Sequence, residues 1–339
     1  MCFLSIKYLG SKTKLLGFID SVVTDCQVKI NKPSDEIVLC DLFSGSGKVA
    51  NHFKNRFKVV ANDLEYYSYA ILSNLLNNDS STAYECQPII DWMNYAMDAH
   101  EGFIFENYSE AGGRKYFTND NALMIDAGIE LIYGMYARKE LTDNQFYYCL
   151  CSVLEAADRV SNTTGFYSAY LKEFNKVSLK PIEFKGFDLK DSVASNDVYL
   201  GDANDLLQEV SGDILYLDPP YTNMQYSNVY HVLNTIAQNE KPVIAGITGR
   251  PEGRNVSPWS HKKKVEAEFR TLVESAKFEF LIMSYSNESI MSSELIADVM
   301  SSYGKYESRE IPHKRFNLGT NVSDNKQVVE YLHVLHKAG

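Results

Sequence analysis

The stretch EIVLCDLFSGSGKVANHFKNRFKVVAND, residues 36–63, decides the fold. Glu36 to Phe43 is short, apolar and stopped by Ser-Gly-Ser-Gly, which is the pattern of a strand buried on both faces. Lys48 to Phe53 suits a helix that starts at once. Phe57 to Ala61 reads as a second strand closing on Asn62-Asp63, and helical periodicity runs from Leu64 to Leu76. This β-α-β-α order predicts a doubly wound parallel sheet of Rossmann-like type.

Outward from this stretch, the alternation stops near Glu85 and resumes at Asp197. Between them, Ile89 to Met97, Ala122 to Ala137 and Thr142 to Val160 carry amphipathic helical spacing. Beyond them, Asp197 to Leu200 and Asp213 to Leu217 read as strands. A helix from Lys262 to Ala276, a strand from Phe278 to Met283 and a helix from Ser292 to Ser302 follow, then strands at Tyr306 to Ile311 and Val328 to Leu335. Residues 1–84 and 194–339 are thus expected to form two halves of one sheet flanking a mainly helical insertion, residues 85–193. A chain of 339 residues is long enough for one large core plus that insertion.

Composition narrows the function classes. Hydrophobic content of 45% and charged content of 23% are ordinary for a globular protein, and no repeat or low-complexity tract appears. The run Cys2 to Ile6 is too short for a signal peptide, and no window reaches a membrane span, so a cytoplasmic enzyme is expected. Six scattered cysteines make no Cys-x-x-Cys pair and seven histidines no His-x-x-x-His pair, so no metal is expected. A net charge of −11 argues against a polyanionic partner, yet the acid is concentrated between Glu85 and Glu130, where Arg114 and Lys115 are the only Lys or Arg residues. Basic residues cluster elsewhere: Lys7, Lys12 and Lys14; Lys172, Lys176, Lys180 and Lys185; Arg250, Arg254 and Lys262 to Lys264; Lys314 and Arg315.

The loop Asp41-Leu-Phe-Ser-Gly-Ser-Gly47 sits at a strand-to-helix junction, where open α/β sheets bind ligands. A nucleoside triphosphate loop fails, because Leu42 and Val49 stand where Gly and Ser or Thr are required. Gly45-x-Gly47-x-x-Ala50 with Asp63 downstream meets a loose dinucleotide fingerprint. S-adenosylmethionine fits as well: Asp63 would accept from its ribose hydroxyls, and Asp41 and Phe43 would line its methionine end. A plain tight turn is the remaining reading, and the loop alone leaves the three open.

Asp213-Ile-Leu-Tyr-Leu-Asp218-Pro219-Pro220-Tyr221 breaks the tie. The prolines cannot extend a sheet ladder, so they hold the Asp218 carboxylate and the Pro219 carbonyl at a strand end. An adenine amino nitrogen is a poor nucleophile because its lone pair is delocalised into the ring. A carboxylate and a carbonyl accepting its two N–H bonds would make it more reactive. A sulfonium methyl is already activated, so in-line displacement needs positioning rather than metal. Tyr221 offers a face for an extruded base.

On these motifs the chain resembles the D12 class of adenine-specific DNA methyltransferases, the Dam-like group. Tyr8-Leu-Gly-Ser-Lys12 resembles the family's N-terminal cofactor motif, and Asp41 to Gly47, with Phe43, Ser44, Gly45 and Gly47, its glycine loop. Asn62-Asp63 resembles its ribose element, and Asp202 in Tyr199-Leu-Gly-Asp its contact to the cofactor adenine, with Asp218 at the edge of the same pocket. The tetrapeptide Asp218 to Tyr221 is of the adenine type. The resemblance implies S-adenosylmethionine as cofactor, duplex DNA as substrate, a cognate restriction endonuclease as candidate partner and a target-recognition role for the insertion. Asp158 to Lys172 and Met224 to His231 resemble segments of some members.

Specificity is expected in the later half of the insertion, through Arg159, Asn162, Lys172 and Lys176, since the acidic first half would repel phosphates. Arg254 and Lys262, Lys263 and Lys264 are expected to grip phosphates without reading sequence. Three rival readings stand beside this one: an RNA adenine methyltransferase, an inactive DNA-binding homologue, and a nicotinamide oxidoreductase. Target site and oligomeric state are not readable from the sequence.

Overall fold

A computed structural model describes residues 6, 8–313 and 328–338; Lys7, Lys314 and Arg315 lie outside them. The elements run α1 (Leu16–Ile30), β1 (Val38–Asp41), α2 (Lys48–Phe53), β2 (Lys58–Asp63), α3 (Tyr66–Asn77) and α4 (Ser80–Tyr95). Next come α5 (Phe103–Tyr108), α6 (Asn119–Ala137), α7 (Asp143–Arg159), β3 (Asp197–Leu200), α8 (Ala203–Leu206) and β4 (Gly212–Leu217). Then follow α9 (Tyr226–Val229), α10 (His231–Gln238), β5 (Ile244–Ala245) and β6 (Arg250–Pro251). The last are α11 (Val265–Ser275), β7 (Phe278–Ser286), α12 (Ser293–Ser301), β8 (Gly304–His313) and β9 (Val328–Lys337).

Two compact units emerge. The sheet unit, residues 12–64, 193–225 and 256–339, carries seven strands in the order β3-β2-β1-β4-β7-β9-β8. The first five are parallel; β9 runs antiparallel to both β7 and β8. The order reverses between β1 and β4, whose register pairs Leu39 with Ile214 and Asp41 with Tyr216. Buried Asp213 fastens this junction, accepting the Val38 N–H at 2.9 Å and pairing with Lys32 at 2.5 Å. A core of Cys40, Leu215, Leu217, Leu281 and Met283 packs beneath α8, α11 and α12, through Leu206, Phe269 and Ile296 among others. Helix α1 buries Ile19, Val22, Val23, Cys26 and Ile30 at helical spacing and stops at Asn31, whose φ of 54° is left-handed.

The helical unit comprises residues 1–11, 65–192 and 226–255, of which 6 and 8–11 are described at its N-terminal end. Helix α7 is its axis, packed by α3, α4, α6 and α10 and started by a capping box between Thr142 and Gln145. The unit is wider than the insertion outlined by composition. Helix α3 buries Tyr67, Ala70, Ile71 and Leu75 in the same core as Leu150, Val153 and Leu154 of α7, and α10 adds Val232, Leu233 and Ile236.

Helix does not fill the insertion to its end. After α7 the chain to residue 192 is irregular, and side-chain amides satisfy its backbone. Asn121 donates to the Ser178 and Lys180 carbonyls and accepts from Ile182; Asn94 both donates to and accepts from Phe184. The Tyr148 hydroxyl accepts the Phe187 N–H at 2.8 Å.

Among the described residues, no helix is long and apolar enough to cross a membrane, and no cluster of His, Cys, Asp or Glu suits a metal. Cys26, Cys40, Cys86, Cys149 and Cys151 are free and buried.

Candidate active site

The glycine loop is tied to three strands. Leu42 N–H donates to the Tyr216 carbonyl at 3.1 Å and Ser44 N–H to the Asn62 carbonyl at 2.9 Å. Gly45 and Gly47 adopt φ of 51° and 69°, a region side chains with a Cβ rarely occupy. The turn brings Gly45 N–H to within 2.8 Å of Asp63 Oδ2 and lets the Ser44 hydroxyl close on the Asp41 carbonyl at 2.6 Å. Asp41 itself is buried at the carboxyl end of β1 and accepts the Ala50 N–H of α2 at 3.1 Å through Oδ2. Its Oδ1 has no hydrogen-bond partner among the described residues. Burial, and then the charge of Asp218, push the Asp41 carboxyl up to about 8.

The carboxyl ends of β2 and β3 meet beside this loop. Asn62 donates to the carbonyls of Leu42 and Gly201, each at 3.1 Å, while Gly201 N–H donates to the Asp63 carbonyl at 3.1 Å. Asp202 follows directly and caps α8, accepting the Asn204 N–H at 2.8 Å. Phe43 packs edge-on against buried Trp259, with ring centroids 5.0 Å apart. Asp41, Phe43, Ser44, Gly45, Gly47, Asp63 and Asp202 therefore share one edge of the sheet.

Asp218 leaves β4 one position beyond its last residue, next to the end of β1. Its side chain is 18% exposed, and Lys12 Nζ lies 2.9 Å from its Oδ1. Lys12 is itself buried and reaches a second carboxylate, Glu330 of β9, at 3.3 Å. The Tyr221 hydroxyl contacts Lys12 and Asp218 and lies 3.1 Å from Glu330 Oε1, to which buried Ser284 of β7 also donates at 2.6 Å. Lys12 Nζ stands 4.4 Å from the centre of the Tyr221 ring, whose edge meets Tyr285. Burial alone would lower the Lys12 pKa, but Asp218 and Glu330 outweigh it and hold the ammonium above its ordinary range. Burial raises the Asp218 carboxyl, against the opposing pull of Lys12 and Tyr221. It also drives the Tyr221 phenol well above its usual value.

Lys12, expected at the cofactor, is thus found on Asp218, and the Tyr221 hydroxyl joins the same cluster. Glu330 and Ser284 escaped the sequence reading. The available signal was strand alternation: Glu330 shares its parity with buried Leu332 and Val334, so an acid points where only apolar residues are expected. Tyr8 belongs to the helical unit, where its ring stacks on Tyr230 at 5.3 Å and Tyr226 at 5.5 Å.

The expected DNA-contacting residues divide. Asn162 is fully buried: its amide donates to the carbonyls of Lys115 and Leu171, at 2.9 and 3.0 Å, and accepts the Asn175 N–H at 3.0 Å. That is a correction, because every polar atom of its side chain is spent on organising the irregular segment. Arg159 is half-buried and paired with buried Glu155 of its own helix. Lys172 and Lys176 are exposed in the helical unit. Arg254, also there, is exposed and donates to Asn228. Lys262, Lys263 and Lys264 are exposed just ahead of α11 in the sheet unit.

Comparison with known proteins agrees with this geometry. Residues 8–299 match the family of D12 class N6 adenine-specific DNA methyltransferases. The chain is 34% identical to the type II methyltransferase M.NlaIII of Neisseria lactamica, over 98% of this chain and 99% of that one. It is 32% identical to modification methylase StsI of Streptococcus sanguinis, over 98% of this chain and 52% of that one. It is 35% identical to the type II methyltransferase M.FokI of Planomicrobium okeanokoites, over 97% and 51%. The chain spans about half the length of the StsI and FokI enzymes.

Proposed function

The chain belongs to the D12 class of N6 adenine-specific DNA methyltransferases, and from that premise we propose that S-adenosylmethionine is its methyl donor and Asp218 the group that engages the target amino nitrogen. Site-specific methylation of adenine in DNA is the activity of this family, which retires the RNA and oxidoreductase readings.

The residues fit that donor on one observation: the unsatisfied, buried Oδ1 of Asp41 at the carboxyl end of β1. Such an atom is costly until an N–H or a cation reaches it. When bound, S-adenosylmethionine supplies a methyl group on a positively charged sulfur, already activated for displacement. Asp41, Phe43, Ser44, Gly45 and Gly47 hold its methionine end, Asp63 its ribose and Asp202 its base.

Asp218 and the Pro219 carbonyl accept the two N–H bonds of an extruded adenine, while Pro220 fixes the turn that presents them. Asp218 then takes the proton that the nitrogen sheds as the methyl bond forms. The observation that carries this reading is the β1–β4 register, which sets the Asp41 and Asp218 strand ends side by side at the reversal of the sheet.

Recognition is assigned to the helical unit, through exposed Lys172 and Lys176. Arg254 and Lys262 to Lys264 grip phosphates. A cognate restriction endonuclease is the partner that the type II relatives suggest. The test is transfer of labelled methyl from S-adenosylmethionine to duplex DNA, read as N6-methyladenine. Asp218→Ala should abolish transfer and leave donor binding within a few-fold; turnover near the wild-type rate would overturn the assignment.

A further inference from the structure

Glu330 stands in an apolar strand, 4% exposed, where an isolated carboxylate is expensive. A hydrophobic residue of similar volume would serve stability at least as well. The carboxylate is nonetheless held with care: Ser284 donates to Oε1 at 2.6 Å, the Tyr221 hydroxyl lies at 3.1 Å, and the Lys12 ammonium at 3.3 Å. Lys12 therefore has two claimants, Glu330 and Asp218, the latter at 2.9 Å.

We propose that Glu330 is a positioning residue for methyl transfer, which shares the Lys12 ammonium with Asp218 and leaves the cluster with one negative charge in excess. The inference rests on the reading of Asp218 given above. With one ammonium between two carboxylates, Asp218 is not neutralised by its neighbour and remains a strong acceptor. Positive charge grows on the adenine nitrogen as its bond to the methyl carbon forms, and it does so beside a site prepared for it. The proton that nitrogen loses passes to Asp218, so the carboxylate must stay basic enough to take it. Remove Glu330, and Lys12 and Asp218 cancel.

The groups that set the charge on Asp218 are Lys12, Glu330 and Tyr221, with Tyr216, Asp41 and Tyr285 electrostatically coupled to it. Of these, Glu330 acts to raise the Asp218 pKa and Lys12 to lower it.

Glu330→Gln is the direct test, because the amide oxygen still accepts from Ser284 and Tyr221 while the charge is gone. The expected result is a kcat reduced roughly ten- to hundred-fold, with KM for DNA changed by no more than about three-fold. The acid limb of kcat/KM, which reports free-enzyme groups, should move to lower pH. Glu330→Asp, which keeps the charge, should recover part of the rate and the position of the limb. An unchanged rate overturns the proposal; so does a lower rate with an unmoved limb, the mark of mere packing.

Asp218→Asn run in parallel separates the two ideas. If it stays active, the reading of Asp218 has failed; if it is dead while Glu330→Gln is normal, only the role of Glu330 has failed. Should Glu330→Gln not melt cooperatively, the wild-type protein answers through the ¹⁵N resonance of Lys12 Nζ. Through-hydrogen-bond coupling of this nitrogen to the side-chain carboxylate carbons of both Asp218 and Glu330 is expected, and coupling to one of them alone would overturn the sharing.

Discussion

Lys12 Nζ lies 2.9 Å from Oδ1 of Asp218, so a residue expected at the methyl donor touches the acid expected at the target. Removing the cation should raise the Asp218 pKa, since Lys12 is the largest influence that lowers it. Lys12→Met should therefore lose more activity at pH 6 than at pH 8.5, with the acid limb moving to higher pH, opposite to Glu330→Gln. Stripping one partner from a buried ion pair costs roughly 3–5 kcal/mol, so the melting temperature should fall as well. Single-turnover rates across pH check the first point and calorimetry the second. An equal loss at both pH values would disconnect Lys12 from Asp218.

Asp41 gives a pH dependence of the opposite kind. Its folded-state pKa, about 8, exceeds that of an unfolded carboxyl. Its contribution to stability is therefore complete below about pH 4 and is lost as pH rises through 8. Urea unfolding without donor should show wild-type stability falling over that window more than in Asp41→Asn, whose side chain does not titrate. Parallel curves would mean that Asp41 ionises freely in the folded protein.

Tyr221 presents both a ring and a hydroxyl to this cluster. Tyr221→Phe keeps the ring but releases Asp218, Lys12 and Glu330 from the hydroxyl. A rate between wild type and Tyr221→Ala is expected, with the alanine variant losing in addition the roughly 1–3 kcal/mol of a base–aromatic stack. Phenylalanine indistinguishable from wild type would show the hydroxyl to be idle.

For recognition, neutralising Lys262, Lys263 and Lys264 should weaken binding to every duplex alike. It should also flatten the salt dependence by up to about 0.9 in slope for each phosphate no longer neutralised. Asn162→Ala is expected to act on folding. It strands half-buried backbone groups of Lys115, Leu171 and Asn175, at a cost of about 1–3 kcal/mol. Sequencing of methylated sites should find its target unchanged, and an altered target would return Asn162 to the recognition surface.

The parallel strands β1 and β4 were legible because each is a short apolar run closed by Asp, as in Val38–Asp41 and Gly212–Leu217 with Asp218. Helix α1 was not, since it follows the Tyr8 to Lys12 motif without a capping signal; Leu15 makes no side-chain cap. The irregular path from 161 to 192 was equally hidden, because its support comes from Asn94, Asn121 and Asn162, distant in sequence from much of what they hold. The motifs named Asp41, Asp63 and Asp218, whose neighbours in sequence carry the signature. Glu330 has no such neighbours: its meaning lies in the strand beside it and in Lys12, more than three hundred positions earlier.

The antiparallel entry of β9 between β7 and β8 has a consequence in time. A chain growing from its N-terminus presents Lys12, then the glycine loop, then Asp218 and Tyr221, well before residue 330 is made. Of the two carboxylates that Lys12 touches, Asp218 comes before β7 in the chain and Glu330 comes only with β9. On the role proposed for Glu330, the charge balance of the cluster is thus left to a strand made long after the rest of it.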